Sequence, residues 1–384
     1  MAGPLEGLRI IEFAGIGPAP FAAMMLADHG AEVITIDRPS VLNRHGLSGR
    51  MDPRDALMRS RKSIVLDIKK PEALGIATRL CAGAAGIIEG YRPGVMERLG
   101  LGPDALLAEN PALVYGRMTG WGQYGPFAQA AGHDINYIAL SGILSTVARK
   151  GEKPLAPVNY LGDFAGGGMM LAFAMVSALL GVQRGLPGQV IDCAMTDGAA
   201  LIGAMTYSHL AMGLHSGTAG ENLIDGGAPF YDVYACSDAK YIALGAIEPQ
   251  FYAQFRALAG IDDDAQFDGQ FIQSRWPELK ALLTAVFLTK TRDAWCALLE
   301  ATDACFAPVL SLCEAPLHPH NIARATFVEV GGAIQPAPAP RYSLSTLEAP
   351  RRPPMLAADT DTLLAELGYD AESICALRAD GALG

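Results

Sequence analysis

Along the first two hundred positions, short apolar runs alternate with segments of helical texture. Positions 8–13 (LRIIEF), 31–37 (AEVITID), 63–68 (SIVLDI), 86–90 (GIIEG), 113–117 (LVYGR) and 189–192 (QVID) read as strands. Between them, 21–28, 71–82 and 103–109 read as helices; Gly30 suits a C-cap and Pro71 a first turn. Strands alternating with helices predict a parallel α/β sheet, whose ligands gather at the carboxyl ends of the strands. The texture changes after a helix ending near Met212. Positions 214–225 are Gly-rich and polar. Strands at 230–235 and 240–245 and helices at 249–258, 276–288 and 291–300 then predict a smaller α+β unit. The segment 331–354 is Pro-rich and irregular, and a last helix covers 360–367. No internal repeat is visible.

One apolar stretch raises the question of a membrane. Positions 166–182 (GGGMMLAFAMVSALLGV) carry no charge. The run is short for a bilayer span, opens on three glycines and is flanked by Asp163 and Arg184, so it reads as a core helix. The 384 residues are 51% hydrophobic and 18% charged, as in a soluble chain with a large core. The start, MAGPLEGLRIIEF, shows no signal-peptide pattern, and the ending Ala382-Leu383-Gly384 is neither a peroxisomal tripeptide nor a prenylation box. Seven cysteines without a CxxC pair suit reduced thiols and predict a cytoplasmic protein.

Charge changes the picture further. The net charge is −11, but residues 38–98 carry twelve Lys and Arg against six acids, leaving −17 on the remainder. An acidic chain with one basic segment is a poor nucleic-acid binder and a fitting receptor for a compact polyanion such as a nucleotide phosphate group. Arg38, Lys69 and Arg92 each follow a predicted strand at its carboxyl end.

The candidate chemistry lies in a few short motifs. Residues 15–20 (GIGPAP) followed by a strand ending in Asp37 imitate a dinucleotide fold, but Pro20 stands where its third glycine would be and Arg38 follows the acid at once. Nicotinamide binding is therefore disfavoured. His133, in AGHDINY, and Asp163, in GDFAGGG, each follow a glycine and open an apolar segment. Singly, the first reads as structural and the second as an N-cap. Together, two bases at helix starts point to chemistry on a proton or a carbonyl. Glu248, before Pro249, reads as a helix-start acid, and Cys313 with His318 and His320 lacks the second cluster a metal would need. Met169, Met170 and Met175 suit core filling or an adaptable apolar surface for acyl chains. There is no Gly-x-Ser-x-Gly, so a serine hydrolase has no support.

The motifs AGHDINY, GDFAGGG, IDGGAPFYDVY (224–234), GAIEPQFY (245–252) and TDACFAPV (302–309), in this order, resemble the α-methylacyl-CoA racemases of the CaiB/BaiF (family III) CoA-transferase superfamily. ADHGAEVITIDRP, EGYRPGVMERLGLGP and TGWGQYGP resemble the wider superfamily. The resemblance implies a Rossmann-like large domain over 1–200 completed by 325–384, a linker over 201–225, and a small α+β domain over 226–324. It implies two interlocked subunits that share each active site. His133 and Asp163 would be the two catalytic bases, Asp163 serving the R and His133 the S substrate, and Glu248 would orient the imidazole of His133. Arg38, Leu66, Asp67, Ile68, Lys69, Gly90, Tyr91, Arg92, Arg98, Gly132, Asp134, Ile135, Asn136 and Tyr137 would hold CoA, which is part of the substrate. No separate cofactor and no metal would be required, and neither nucleic acid nor membrane would be a partner. Backbone N–H groups over 163–168 would stabilise an enolate, with the glycines there admitting the thioester. A family III CoA transferase with Asp163 as nucleophile is the alternative, and a CoA-ester binding protein a further one. Two departures stand out: Ile224 in place of Leu before Asp225, and an insertion over 43–51 after Arg38.

Overall fold

The computed structural model describes residues 3–40 and 52–384. The 43–51 insertion, with Arg44 and Arg50, lies outside the described residues. The chain forms two compact units: Met1–Ser141 with Val158–Ile202 and Ile322–Gly384, and Gly142–Pro157 with Gly203–Asn321.

The first unit is built on a six-stranded parallel sheet. Its strands are β1 (Arg9–Phe13), β2 (Glu32–Asp37), β3 (Arg61–Val65), β4 (Gly86–Glu89), β5 (Val114–Thr119) and β6 (Gln189–Ala194), in the order β3-β2-β1-β4-β5-β6. The inner strands are apolar almost throughout because both faces are covered. Side-chain alternation divides them. Ile11, Phe13, Ile34, Ile36, Ile87 and Tyr115 face one core with α2 (Pro71–Ala82), α3 (Val95–Arg98) and α4 (Pro103–Glu109). Helices Thr360–Glu366 and Ala371–Ala379 close that same core with Leu363, Leu364 and Ile374. Ile10, Val33, Ile88, Val114 and Met118 face the other core, with α1 (Pro18–Asp28) and a long helix described below. The chain's last residues return to the edge strand: Asp67 N–H donates to Ala382 O, Gly384 N–H to Val65 O, and Leu66 bridges Leu383.

Helix α1 starts at Pro18, three residues before the sequence pattern suggests. Gly17 turns the chain with φ +67°, and prolines at the first and third helical positions fit a turn whose N–H groups have no intrahelical acceptor anyway. Those prolines also remove two of the N–H donors that a helix start otherwise offers. A pyrophosphate seat of the dinucleotide kind is thereby lost.

Helix α5 (Asp134–Leu140) follows β5. Next comes a π-helical segment, Tyr160–Met169, running straight into α6 (Met170–Gln183). By length and composition alone, Tyr160–Gln183 would suffice to cross a membrane. Leu171, Ala172, Met175, Ala178 and Leu179 bury one face against the sheet and α1, while Met169, Phe173, Val176 and Leu180 form an exposed stripe on the other. This helix begins before Asp163, which is therefore inside its first turn rather than at an N-cap. Helix α7 (Met195–Ile202) crosses it closely: a Cβ on Gly166 would lie 2.6 Å from Ala199 N.

The second unit carries α8 (Ala204–Ala211) and an antiparallel sheet of β7 (Tyr231–Ala235), β8 (Tyr241–Gly245) and β9 (Phe306–Val309). β9 is too short and too Pro-interrupted to show in the sequence pattern. One sheet face packs Tyr234, Ile242 and Leu244 against α9 (Pro249–Ala259), α10 (Trp276–Phe287) and α11 (Arg292–Leu299), with Phe255, Phe287 and Trp295 fully buried. Its other face, with Tyr231, Val233 and Ala243, lines a cavity of about 1260 Å³. Residues 142–157, expected with the large domain, pack in this unit. Residues 203–225, expected as a linker, are ordered within it too. The Asp225 carboxylate accepts from Gly220 N, Asn222 N and Gly227 N, which converts a Gly-rich stretch into a fixed loop.

Candidate active site

The strand order reverses between β1 and β4, so the crevice at their carboxyl ends is where such a sheet receives ligands. Three loops meet there, after β1, β4 and β5.

The loop after β5 sets His133. Gly122 N–H donates to Thr119 Oγ1 at 2.9 Å, and Trp121 meets the ring of Tyr137 edge-on, 4.8 Å between centroids. The Tyr137 hydroxyl donates to Gly132 O, and its ring lies against Gly132 so closely that a Cβ there would be 2.7 Å away. His133 is then the N-cap of α5, with extended backbone. Its own N–H donates to Asn136 Oδ1 at 3.0 Å, and its side chain is exposed.

Asp134 links this helix start to the next. Its buried carboxylate accepts from Gly162 N–H at 2.6 Å and from Asp163 N–H at 2.7 Å. It thereby satisfies two donors that a helix start leaves open. Asp163 is half-buried, and its Oδ2 accepts from Asn159 Nδ2 at 3.1 Å. Across the crevice lies the loop after β1, where a Cβ on Gly17 would sit 3.2 Å from Asp163 Oδ2. Burial holds the Asp163 carboxyl above its ordinary value; the Asn159 amide opposes this, Asp134 adds to it, and the His133 imidazole opposes it. His133 and Asp163 are thus close enough to feel each other's charge.

The basic residues sort themselves by partner. Arg59 and Arg61 are buried on Asp28 and Glu12, while Lys62 pairs with Glu32, Arg54 with Asp52 and Lys70 with Asp380. Arg38, Lys69, Arg92 and Arg98 have no acid partner among the described residues. Arg38, Lys69 and Arg92 follow the carboxyl ends of β2, β3 and β4, and Arg98 ends α3, the short helix after β4, on the side where a polyanion would meet them.

A family model described as CoA-transferase family III matches residues 5–360. The chain belongs to CoA-transferase family III. It is 42% identical over 378 residues to the α-methylacyl-CoA racemase of Mus musculus, covering 98% of this chain and 96% of that protein. To the α-methylacyl-CoA racemase of Homo sapiens it is 41% identical over 379 residues, again 98% of this chain and 96% of the relative. Among solved structures, a CaiB/BaiF family protein from Brucella suis superposes with a TM-score of 0.81 at 26% identity, over 96% of this chain and all of that one.

In this family III chain, several nominated side chains are turned inward. Leu66 is fully buried, Ile68 packs against the same core, and Asp134 and Tyr137 are buried on the contacts just described. Asp67 Oδ1 accepts from Lys69 N–H, and Asn136 is held by His133. These residues shape the site; Lys69, Arg92, Arg98, Arg38 and Ile135 face outward. Gly90 and Tyr91 form the turn after β4, with the Tyr91 hydroxyl 3.5 Å from Ala14 O. Two expectations are corrected. The Asp163 N–H is spent on Asp134, so it is no enolate donor. Gly166, Gly167 and Gly168 admit α7 and α1 rather than a ligand, since a Cβ on each would strike Ala199, Met195 or Phe21 within 3 Å. Glu248 lies in the second unit, exposed at the N-cap of α9, where its C=O accepts from Phe251 N and Tyr252 N. His318 Nε2 is 2.9 Å from Glu300 Oε1. Among the described residues no three His, Cys, Asp or Glu side chains group as a metal centre would require.

Sequence reasoning missed Asn159 and Gly17. Asn159 precedes Asp163 by four positions, the spacing of neighbours on a helical face, and that was a readable signal. Gly17 meets Asp163 only through the fold.

Proposed function

We propose that the protein racemises 2-methylacyl-CoA thioesters by moving the α-proton between two bases, His133 and Asp163. The observation that carries this reading is the pairing itself. An exposed imidazole and a half-buried carboxyl, raised in pKa, are held at one crevice by a shared buried tie, Asp134. The chain's similarity to two α-methylacyl-CoA racemases over nearly its full length supports it.

One base takes the proton from Cα, and the electron pair delocalises onto the thioester oxygen as an enolate. The conjugate acid of the other base returns a proton to the opposite face, giving the mirror-image centre. The thioester itself is the electron sink, and no resident cofactor or metal enters these steps. With the Gly162 and Asp163 N–H groups spent, the donors left for the enolate oxygen are the Asp134 and Ile135 N–H groups, which have no acceptor among the described residues. The free cations Arg38, Lys69, Arg92 and Arg98 would receive the phosphates of CoA, arginine through its bidentate fork.

Glu248, which has no side-chain partner among the described residues, would orient the His133 imidazole from a partner subunit of an interlocked homodimer. The stripe Met169, Phe173, Val176, Leu180 supports such an assembly, being apolar and exposed on one helix face. All seven cysteines are unpaired, which supports a reducing compartment such as the cytoplasm.

The test is exchange in heavy water with one enantiomer of a 2-methylacyl-CoA and no acyl acceptor. Deuterium at Cα with appearance of the other enantiomer is expected, and His133→Ala should lower it by about a thousandfold. A native protein that leaves Cα protonated and chiral would fail the racemase reading. Transfer of CoA to a free carboxylate through Asp163 would then replace it.

A further inference from the structure

We infer that Glu89 is a positioning residue that fixes the turn gripping the nucleotide end of the thioester. The inference rests on the acyl-CoA reading above.

Glu89 ends β4 and sits opposite Arg117 of β5 in the parallel register. Its side chain is 1% exposed, and both its oxygens are committed. One accepts from Arg117 Nε at 2.9 Å and the other from the backbone N–H of Tyr91 at 2.7 Å. The rest of the Arg117 fork goes to Glu97: NH1 reaches Oε1 at 2.7 Å and NH2 reaches Oε2 at 3.3 Å. Glu97 lies in α3, next to Arg98. The result is one continuous chain, Tyr91 N–H to Glu89 to Arg117 to Glu97. It ties both ends of the segment 91–97 to the sheet, and Met96, fully buried, pins it a third time.

Two features make this more than a structural ion pair. First, the anchored segment presents Arg92 and leads directly into Arg98, two exposed cations with no acid partner among the described residues. Second, Arg117 lies at the same carboxyl edge yet has every nitrogen of its guanidinium engaged by acid, so it serves the turn and not a phosphate. Buried ion pairs add little net stability, because desolvation offsets their attraction, but they fix geometry. Here the geometry fixed is the spacing of two phosphate-seeking arginines.

The experiment compares native protein with Glu89→Gln, which keeps the shape and removes the charge. Titration calorimetry with free coenzyme A reads the grip directly, and racemisation of a 2-methylacyl-CoA and of the matching S-acyl-pantetheine reads it in turnover. The expected result is a Kd for coenzyme A and a KM for the acyl-CoA raised about tenfold, the loss of one charge-assisted tie, with kcat within about twofold. The pantetheine thioester, having no nucleotide, should show an unchanged KM. Equal effects on both thioesters, or an unchanged Kd in a folded variant, would overturn the inference. Should Glu89→Gln not fold, Glu97→Gln on the exposed side frees the Arg117 fork without disturbing the core, and the same nucleotide-dependent split is expected at about threefold. Native protein that binds coenzyme A but does not racemise would remove the functional reading and leave the calorimetric test standing. Native protein that binds no coenzyme A would remove both.

Discussion

Asp163 stands between opposing influences. Burial favours its neutral form, while the Asn159 amide and the His133 imidazole favour the carboxylate. Under the proposed two-base mechanism, a group that takes a proton in one direction and returns it in the other works best when neither form is strongly excluded. Asn159→Ala removes a partner of the charged form, so the Asp163 pKa rises further. For the enantiomer whose proton Asp163 removes, the acid limb of the kcat/KM profile then moves to higher pH. For the opposite enantiomer, to which Asp163 must deliver a proton, the limb governed by its deprotonation moves upward as well. Profiles on each pure enantiomer check both shifts; limbs that stay in place with a reduced kcat would leave Asn159 a packing role only. His133 and Asp163 are legible in the sequence as candidates because glycine followed by a titratable residue and an apolar run is a local pattern. Asp134 is not. Its carboxylate acts on Gly162 and Asp163, and nothing local distinguishes a ligand-facing acid from one that caps a neighbouring helix.

The π-helical segment shows what the sequence conceals at the scale of an element. Its three consecutive glycines suggest a place where a ligand approaches the backbone. The space is instead taken by α7 and α1. Gly166→Ala would set a Cβ 2.6 Å from the Ala199 backbone nitrogen, which has no rotamer to yield. We expect a loss of about 2 kcal/mol or more, as for overpacking elsewhere. A thermal melt several degrees lower, with kcat falling because Asp163 moves with its helix, is the outcome to look for; an unchanged melt would show that α7 gives way freely. The strands are readable because burial on both faces leaves continuous apolar runs. The start of α1 is not, since Pro18 and Pro20 serve equally as turn residues and as a first helical turn. A glycine announces that something comes close without saying what.

For the whole molecule, the exposed stripe of Met169, Phe173, Val176 and Leu180 is where assembly is tested. Phe173, 73% exposed, lies at its centre. On the proposed homodimer, Phe173→Lys should leave the fold intact and give a monomer, visible as a halved mass by light scattering, with activity lost because no partner subunit would supply Glu248. A variant that stays dimeric and active would move the interface elsewhere. The sheet's parallel class follows from alternating strands and helices, whereas the return of the C-terminal residues to the first unit is implied only by the family resemblance and not by the residue pattern. That depends on Leu363, Leu364, Ile374 and Leu383, which look like any amphipathic helix and tail until they are seen beside Leu66 and Ile36. The return has a consequence for synthesis. The ribosome makes strands β1 to β6 first and the second unit next, while one face of the first core still awaits residues not yet translated. The second unit, apart from its 142–157 segment, is contiguous and complete by Asn321. It is therefore free to settle during elongation, whereas the unit that carries His133 and Asp163 closes only when residues 360–383 have left the tunnel.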